Sequence, residues 1–318
     1  MKIVIGTGQF GEDYAERLGA RFPGVTFSMA LTDPDEVREI VDADAFLGWP
    51  EPEAIAAAQR LRWIHVPGMG INNTMLSPGI AESGIVVTNS PGAHTSPIAD
   101  HVMFFVLSLA HQGRRLLDDQ RARRWDTGSY ERQLRDLDGS SMLLIGLGGI
   151  GRAVFQRAQS FGMQVSAVDP TPTDVPAGVR EVGGLDRLDA LLAETDWLVV
   201  TVPITPGTRN MIDARRIGLL KQGAAVIVIS RGGIVDEDAL AEGLRLGRLS
   251  GAGLDATETE PLPAESPLWD MDNVLISPHC SGVTPSMWRQ RQQTLEDQVR
   301  RFVEGRPLAF ICDLKRGY

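Results

Sequence analysis

Short apolar, β-branched segments alternate with helical patterns along almost the whole chain. Helix candidates with Leu and Ala at helical spacing cover 184–193, 213–220 and 236–246. Because strands that are apolar along their length are buried on both faces, this alternation predicts doubly wound parallel sheets covered by helices, an α/β fold. Ten segments have the length and composition of strands: KIVIG, VTFSMA, RWIHV, GIVVTN, MLLIG, QVSAVD, WLVVTV, AAVIVIS, SGAGLDA and VLISP.

The length of the chain and two long helical segments predict how the sheets are divided. A chain of 318 residues exceeds one typical core, so two domains are expected. One long helix is expected to begin with Ser96 as its N-cap, and another to cover about 286–304. Helices of this kind can carry the chain out of one domain and back. We therefore expect a discontinuous first domain over 1–95 and 286–318, with 96–285 inserted as the second.

Composition excludes several classes of protein. With 31 basic and 41 acidic residues, the net charge of −10 argues against a general nucleic-acid or anionic-membrane binder. The longest apolar run, 102–110, is about half of what spans a bilayer. Cys280 and Cys312 are too few for a disulfide framework or a structural zinc site, and the five histidines show no paired-ligand spacing. We expect a cytoplasmic protein without a metal.

Two loops match the G-x-G-x-x-G pattern of dinucleotide-binding turns. GTGQFG lies at 6–11 and GLGGIG at 146–151, and each follows a short apolar run. A dinucleotide site also needs a carboxylate for the adenosine ribose, at the end of the next strand and about 20 residues on. This requirement distinguishes the two loops.

Only the second loop is followed by a suitable acid. Asp169 directly ends the QVSAV segment, whereas no acid directly follows VTFSMA. The nearest acid, Asp33, is expected to be a helix N-cap, with Pro34 in the first helical position and Glu36 as the reciprocal capping acid. We therefore expect 146–151 to bind the dinucleotide.

This assignment has two consequences. Asp169 would accept hydrogen bonds from the ribose hydroxyls and repel a 2′-phosphate, which favours NAD over NADP, although nearby arginines could reverse the preference. The first loop would be a tight strand–helix turn in which Gly8 and Gly11 allow close packing.

Three reactive side chains follow predicted strands downstream of the second loop. They are Arg231 in ISRGGIVDEDAL, Glu260 in GLDATETEPLP and His279 in LISPHCSGVTP. Each alone could be a solvated or hydrogen-bonded loop residue. Because ligands bind at the carboxyl ends of strands in an open α/β sheet, their common placement predicts one site.

The motifs GLGGIG with Asp169, TVPITPGTRNMID, SRGGIVDEDAL, DATETEPLP and SPHCSG, in that order, resemble the D-isomer-specific 2-hydroxyacid dehydrogenase family. The resemblance covers nearly the whole chain and is densest over about 139–285. It implies a Rossmann NAD-binding domain inserted into a flavodoxin-like substrate domain, and a homodimer built mainly on the nucleotide domain. It implies NAD, with NADP as the alternative, at Gly146, Gly148, Gly149, Ile150, Gly151, Asp169, Val202, Pro203, Thr208 and Asp255.

The resemblance also assigns roles in a hydride transfer between NAD(H) and a small 2-hydroxy or 2-oxo acid. Arg231 would bind the substrate carboxylate, because a guanidinium fork can take both oxygens in one plane. His279 would be the acid/base, and Glu260 would favour its protonated form. Backbone amides of the GMGIN turn would reach the same carboxylate, at Met69, Gly70 and Ile71.

Two alternatives to this function stay open. A formate- or phosphite-type dehydrogenase has the same fold, but a formate enzyme would be expected to carry Gln at the Glu260 position. A protein that only senses NAD could retain all three reactive residues. His94 and Trp125 lie where the family often places substrate-pocket residues, although we favour dimer packing for Trp125.

Overall fold

The computed structural model describes residues 1–68, 78–172 and 174–314. The chain divides into two compact units. Unit 1 comprises Met1–His94 and Thr284–Tyr318, and unit 2 comprises Thr95–Val283. The expected boundaries at 95 and 286 lie close to these, while the roles given to the two domains stay predictions.

The described part of unit 1 contains a parallel five-stranded sheet in the order β2-β1-β3-β4-β5. This is the flavodoxin-like strand order. The strands are β1 Lys2–Gly6, β2 Thr26–Met29, β3 Ala45–Gly48, β4 Trp63–His65 and β5 Val86–Thr88. The helices are α1 Tyr14–Arg21, α2 Asp33–Ile40, α3 Pro52–Ala57, α4 Pro78–Ala81 and, after the insertion, α11 Pro285–Val303.

Both faces of this sheet are buried, as the continuous apolar runs predict. Ile3 and Ile5 pack in one cluster with Leu295 and Val299 of α11, whereas Val4 lies in a second cluster. Alternate residues of a strand point to opposite faces, so the three buried residues at the centre of β1 must all be apolar.

Unit 2 contains a parallel seven-stranded sheet in the order β12-β11-β10-β9-β6-β7-β8. Counted from β6, the first strand of the unit, this is the Rossmann order with one additional strand. The predicted fold class is therefore confirmed. The strands are β6 Ser141–Ile145, β7 Gln164–Val168, β8 Glu181–Gly183, β9 Trp197–Val200, β10 Ala224–Val228, β11 Leu249–Leu254 and β12 Val274–Ile276.

The helices of unit 2 cover the sheet. They are α5 Thr95–Ala110, α6 Gly113–Arg121, α7 Gly149–Ser160, α8 Leu188–Leu192, α9 Ala214–Leu219 and α10 Glu237–Arg245. The α5 helix lies directly on β11, where a Cβ added to Gly253 would be 2.5 Å from Phe105. Within the described residues, none of the helices combines the length and apolar character that crossing a bilayer requires.

Several local expectations were wrong. The ten predicted strands omitted β3 and β8, which are only four and three residues long. The α5 helix begins at Thr95, so Ser96 is not its N-cap. The N-cap of α2 is Thr32, whose hydroxyl accepts the Asp35 N–H, so Asp33 is the first helical residue.

The expected capping role of Glu36 was also wrong. Its carboxylate is directed inward and accepts the N–H of Glu51 at 3.2 Å. The reciprocal partner of Thr32 is Asp35, whose carboxylate accepts the threonine hydroxyl at 2.7 Å.

Candidate active site

His279 and Glu260 form a hydrogen-bonded pair in unit 2. His279 Nδ1 lies 2.9 Å from Glu260 Oε2 and 3.1 Å from Oε1. Glu260 Oε1 also accepts the N–H of Thr257 at 3.1 Å, which fixes the carboxylate from a second side. The side chains of His279 and Glu260 are 42% and 41% exposed. With Nδ1 bound to the carboxylate, Nε2 is the nitrogen left to exchange a proton.

Arg231 lines the same cavity, of about 430 Å³, as this pair. It follows β10 and donates from Nη1 to the carbonyl of Ser230 at 2.7 Å. None of the described acids forms an ion pair with it, whereas the neighbouring Arg209 is paired with Glu258 at 3.1 Å. The structure thus brings all three predicted catalytic residues together, and it adds an arginine–glutamate pair that the sequence did not single out.

Gly232 explains how Arg231 comes so near the Glu260 loop. A Cβ at this position would lie 2.0 Å from the carbonyl carbon of Thr257 and 2.2 Å from the nitrogen of Glu258. Two backbones approach here at a distance that only glycine permits. A glycine at position 232 is therefore needed to bring Arg231 close to the loop that carries Glu260.

Asp255 fixes the loop that carries His279. Its carboxylate is buried and accepts from Ser277 Oγ at 2.5 Å, from Cys280 N at 2.9 Å and from Ser281 N at 3.2 Å. His279 itself has a left-handed φ of +50°, a conformation that such surrounding contacts must stabilise. Asp255 was expected near the nicotinamide, and its observed contacts are those of a positioning residue.

His101 of α5 extends this network, a contact that was not predicted from the sequence. Its Nε2 lies 2.9 Å from Ser277 Oγ, which in turn donates to Asp255. Burial lowers the pKa of His101, while the charge of Asp255 acts in the opposite direction. A neutral His101 with its proton on Nε2 can donate to Ser277 Oγ, which completes the chain of hydrogen bonds to Asp255. His101 and Ser277 are 176 positions apart in the sequence, which explains why no local pattern shows the contact.

The second glycine loop has the packing that its motif predicts. Gly146 has a φ of +101°, and a Cβ there would lie 2.8 Å from Thr201 Oγ1. A Cβ at Gly151 would lie 2.2 Å from the Gly146 carbonyl oxygen, so strand and helix are packed closely. A Cβ at Gly148 would meet nothing within 4 Å, which leaves open space at the tip of the loop.

The first turn of α7 supplies donors to this open space. The helix begins at Gly149, and Gly148 as its N-cap provides no side-chain hydrogen bond. The first intrahelical bond runs from Arg152 N to Gly148 O at 3.0 Å. The N–H groups of Gly149, Ile150 and Gly151 therefore have no partner within the helix, and they are suited to a diphosphate.

Asp169 links the end of β7 to the glycine loop. Its Oδ2 accepts the N–H of Leu147 at 2.8 Å and its Oδ1 accepts the N–H of Thr171 at 3.0 Å. Each oxygen retains acceptor capacity for a ribose hydroxyl. Together with the open loop and the uncapped helix, this arrangement fits a dinucleotide.

The loop after β9 carries the other predicted cofactor residues. Thr208 Oγ1 accepts from Thr205 N at 2.7 Å and donates to the Pro203 carbonyl at 2.8 Å, so this side chain shapes the loop. Val202 lies against the glycine turn, 2.9 Å from where a Gly146 Cβ would be. Direct cofactor contacts of these residues stay predictions.

The first glycine loop differs from the second in structure. Helix α1 begins only at Tyr14, three residues beyond GTGQFG, so its first turn is not part of the motif. Close packing was expected at Gly8, and this was wrong, because the nearest atom to a Gly8 Cβ is 3.9 Å away on Leu31. The closely packed position is Gly6, where a Cβ would lie 2.2 Å from Phe46.

The remaining predicted residues are placed as follows. Met69, Gly70 and Ile71 lie outside the described residues. Trp125 is 96% exposed, and His94 Nε2 accepts from Arg291 at 2.8 Å. The expected homodimer stays a prediction. The part of the chain that is described contains no group of three His, Cys, Asp or Glu suited to a metal ion.

Comparisons with known proteins identify the family of the chain. A family model described as D-isomer specific 2-hydroxyacid dehydrogenase, NAD binding domain, matches residues 103–281. An (S)-sulfolactate dehydrogenase of Chromohalobacter salexigens is 35% identical over 252 residues, covering 78% of this chain and 80% of that protein. A D-3-phosphoglycerate dehydrogenase of Methanocaldococcus jannaschii is 31% identical over 288 residues, covering 88% of this chain and 54% of that protein.

The fold is also that of a solved relative. The crystal structure of a D-isomer specific 2-hydroxyacid dehydrogenase from Xanthobacter autotrophicus, in complex with NADPH and MES, matches with a TM-score of 0.85 at 30% identity. The match covers 100% of this chain and 99% of that one. The chain spans about half the length of the D-3-phosphoglycerate dehydrogenases that it matches. The resemblance seen in the sequence is confirmed, and the chain belongs to the D-isomer specific 2-hydroxyacid dehydrogenase family.

Proposed function

We propose that the protein transfers a hydride between NAD(H) and a small 2-hydroxy or 2-oxo acid. The observation that supports this most strongly is one cavity lined by three groups with complementary chemistry. Arg231 has no acid partner among the described residues, and the His279–Glu260 pair lies beside it. A 2-oxo acid requires a cation to bind its carboxylate and an acid/base to exchange a proton with the neighbouring carbon–oxygen group.

Each residue has a distinct task in this reaction. Arg231 binds the substrate carboxylate with its planar fork, which also orients the adjacent ketone. His279 gives a proton from Nε2 to the ketone oxygen during reduction and takes it back during oxidation. Glu260 accepts from Nδ1, which leaves Nε2 as the nitrogen that exchanges the proton. The nicotinamide, when bound, supplies the hydride in one direction and accepts it in the other.

The cofactor preference follows from Asp169. A carboxylate at the end of β7 suits the two ribose hydroxyls of NAD and repels the 2′-phosphate of NADP. The solved relative from Xanthobacter autotrophicus binds NADPH, so the family accommodates both. We infer that NADH is the better substrate of this chain.

The first experiment is to follow reduced-nicotinamide absorbance with a panel of 2-oxo acids, once with NADH and once with NADPH. We expect turnover of at least one acid and a higher kcat/KM with NADH. In Arg231→Lys, loss of the two-point contact should lower kcat/KM by about 100-fold, whereas Arg209→Lys should change it little because Arg209 is paired with Glu258. No turnover of any acid would refute the proposed function, and better turnover with NADPH would refute the role of Asp169.

A further inference from the structure

Unit 1 contains a buried arginine that the proposed function does not use. Arg291 lies on α11 and is only 7% exposed. Its guanidinium carbon lies 5.0 Å from the ring centroid of Trp288, so an aromatic side chain covers one face of the guanidinium group. An anion bound to this group would lie in its plane, where the N–H donors point.

Most of the N–H donors of Arg291 have no acceptor. A guanidinium group has five such donors. Nη1 donates to Gln9 Oε1 and Nη2 to His94 Nε2, both at 2.8 Å, and the side chain makes no other hydrogen bond within the described residues. Nε is buried without a partner. Three of the five donors therefore lack an acceptor in this part of the chain.

The charge of Arg291 is not neutralised either. None of the acids in 1–68, 78–172 or 174–314 forms an ion pair with it. Burial lowers its pKa to about 10, which still leaves the group charged at neutral pH. The neighbouring His65 adds no charge, because burial and the charge of Arg291 lower its pKa to about 3. A buried cation with only neutral acceptors is costly, and a bound anion would offset that cost.

Arg291 contacts the first glycine loop, GTGQFG at 6–11, through Gln9. This loop follows β1, and in the order β2-β1-β3-β4-β5 the carboxyl end of β1 adjoins the switch point between β1 and β3. Ligands bind in the crevice at such a switch point. The glycine loop that we do not assign to the dinucleotide therefore lies where a sheet of this topology holds a ligand.

The loop supplies further donors on either side of Gln9. The N–H groups of Gly8 and Phe10 have no hydrogen-bond partner among the residues that the structure describes. Gly8 is exposed, and a Cβ at this position would be 3.9 Å from its nearest neighbour, so the loop has open space beside it. Free N–H groups of a tight turn are suited to binding an anion.

We propose that Arg291 and the first glycine loop form an anion site in unit 1 that binds a tetrahedral oxyanion such as phosphate, either as the free ion or as the phosphoryl group of a larger molecule. Phosphate has more acceptor oxygens than a carboxylate, so it can take donors from the arginine and from the loop together. Every residue of this site belongs to unit 1, and the site does not depend on the proposed hydride transfer.

The test is the Tm of the full-length protein in inorganic phosphate at about pH 8, compared with chloride at the same ionic strength. We expect phosphate to raise the Tm of the wild type and of Arg289→Met, which removes an exposed arginine from the same helix. Arg291→Met should bind phosphate about tenfold or more weakly, because it loses charge-assisted hydrogen bonds to the anion. An equal effect of phosphate on Arg291→Met and the wild type would overturn the proposal.

A second variant covers the case in which Arg291→Met does not fold. Arg291→Lys keeps the positive charge and loses the planar fork, so it should bind phosphate more weakly than the wild type does. Equal phosphate binding by Arg291→Lys and the wild type would then overturn the proposal.

Two variants of unit 2 show where the phosphate binds. Arg231→Met removes the arginine of the catalytic cavity, and Gly148→Asp puts a carboxylate into the loop that we assign to the dinucleotide. Both should keep the effect of phosphate that depends on Arg291. Its loss in either of them, with retention in Arg291→Met, would place the anion in unit 2 and overturn the proposal. Because the measurement uses neither cofactor nor turnover, its result is independent of the test of hydride transfer.

The source of the anion follows from a comparison of phosphate with methyl phosphate and acetate. Tighter binding of phosphate would identify the free ion as the ligand, whereas tighter binding of methyl phosphate would identify the phosphoryl group of a larger molecule. Acetate should bind more weakly than the better of the two. Acetate that binds as tightly as phosphate and methyl phosphate would overturn the assignment of a tetrahedral oxyanion.

Discussion

Glu260 is the residue at which charge and geometry can be separated most cleanly. Its carboxylate accepts from His279 Nδ1 at 2.9 Å and from the N–H of Thr257 at 3.1 Å. A glutamine has nearly the same shape, and its carbonyl oxygen can accept the same bonds. Glu260→Gln therefore removes the negative charge while leaving the loop geometry in place.

We predict that Glu260→Gln lowers kcat/KM of the oxidation reaction by about tenfold or more. In the transition state a positive charge develops on His279 as Nε2 takes the proton, and the carboxylate of Glu260 stabilises that charge, whereas a glutamine amide would not. An unchanged kcat/KM would remove Glu260 from the mechanism. Thermal denaturation of the same variant would show whether the fold is unchanged.

Candidate site residues could be predicted from the sequence where they follow a strand. They were missed where their hydrogen-bond partners are remote in sequence. Asp169, Arg231 and His279 each come within three residues of the end of a strand, which places them at the carboxyl-end edge of the sheet. Arg291 is 282 residues from its partner Gln9, and no local pattern reveals such a contact. The contacts of Asp255 were not predicted for a related reason, because the groups that donate to its carboxylate lie on a loop more than 20 residues later. Its place near the nicotinamide stays a prediction.

At the scale of elements, two loops with the same glycine spacing are distinguished by where the next helix begins. α7 starts inside its motif and directs unpaired N–H groups to open space at Gly148. α1 starts three residues after its motif ends. The glycine pattern alone could not show this difference, and in the sequence the two loops were distinguished by the acid at the end of the following strand.

The glycine loops give a paired prediction. Gly148→Asp should weaken NADH binding by about 100-fold or more in calorimetry, because its carboxylate would face the diphosphate and like charges cost several kcal/mol. Its Tm should change little, since Asp is a good N-cap. Gly8→Ala should leave both NADH affinity and stability within about 0.5 kcal/mol of the wild type, because a Cβ there has room. Undiminished NADH binding by Gly148→Asp would contradict the assignment.

Element boundaries were less predictable than element types. The long apolar runs became strands, but β3 and β8 escaped detection because three or four residues carry too little periodicity. The start of α2 shifted by one residue because Thr32, and not Asp33, accepts the first free N–H. The two possible starts of α2 differ by a single hydrogen bond.

At the scale of the whole molecule, the alternation of strands and helices predicted two doubly wound units, and their strand orders bear this out. The order within each sheet depends on contacts between strands far apart in sequence, so the apolar pattern by itself did not give it. The expectation of a Rossmann domain came from the resemblance of the motifs to the D-isomer-specific 2-hydroxyacid dehydrogenase family. The activity that we propose for this fold is hydride transfer to the 2-position of an acid.

The most direct measurement uses NADH deuterated at C4 of the nicotinamide, on the transferred face, with the best 2-oxo acid of the panel. We predict a product with one deuterium on C2, detected by mass spectrometry and NMR, and D configuration in chiral chromatography. His279→Gln should lower the rate of label transfer by about 100-fold or more. A product without deuterium at C2, or one of L configuration, would contradict the proposed hydride transfer.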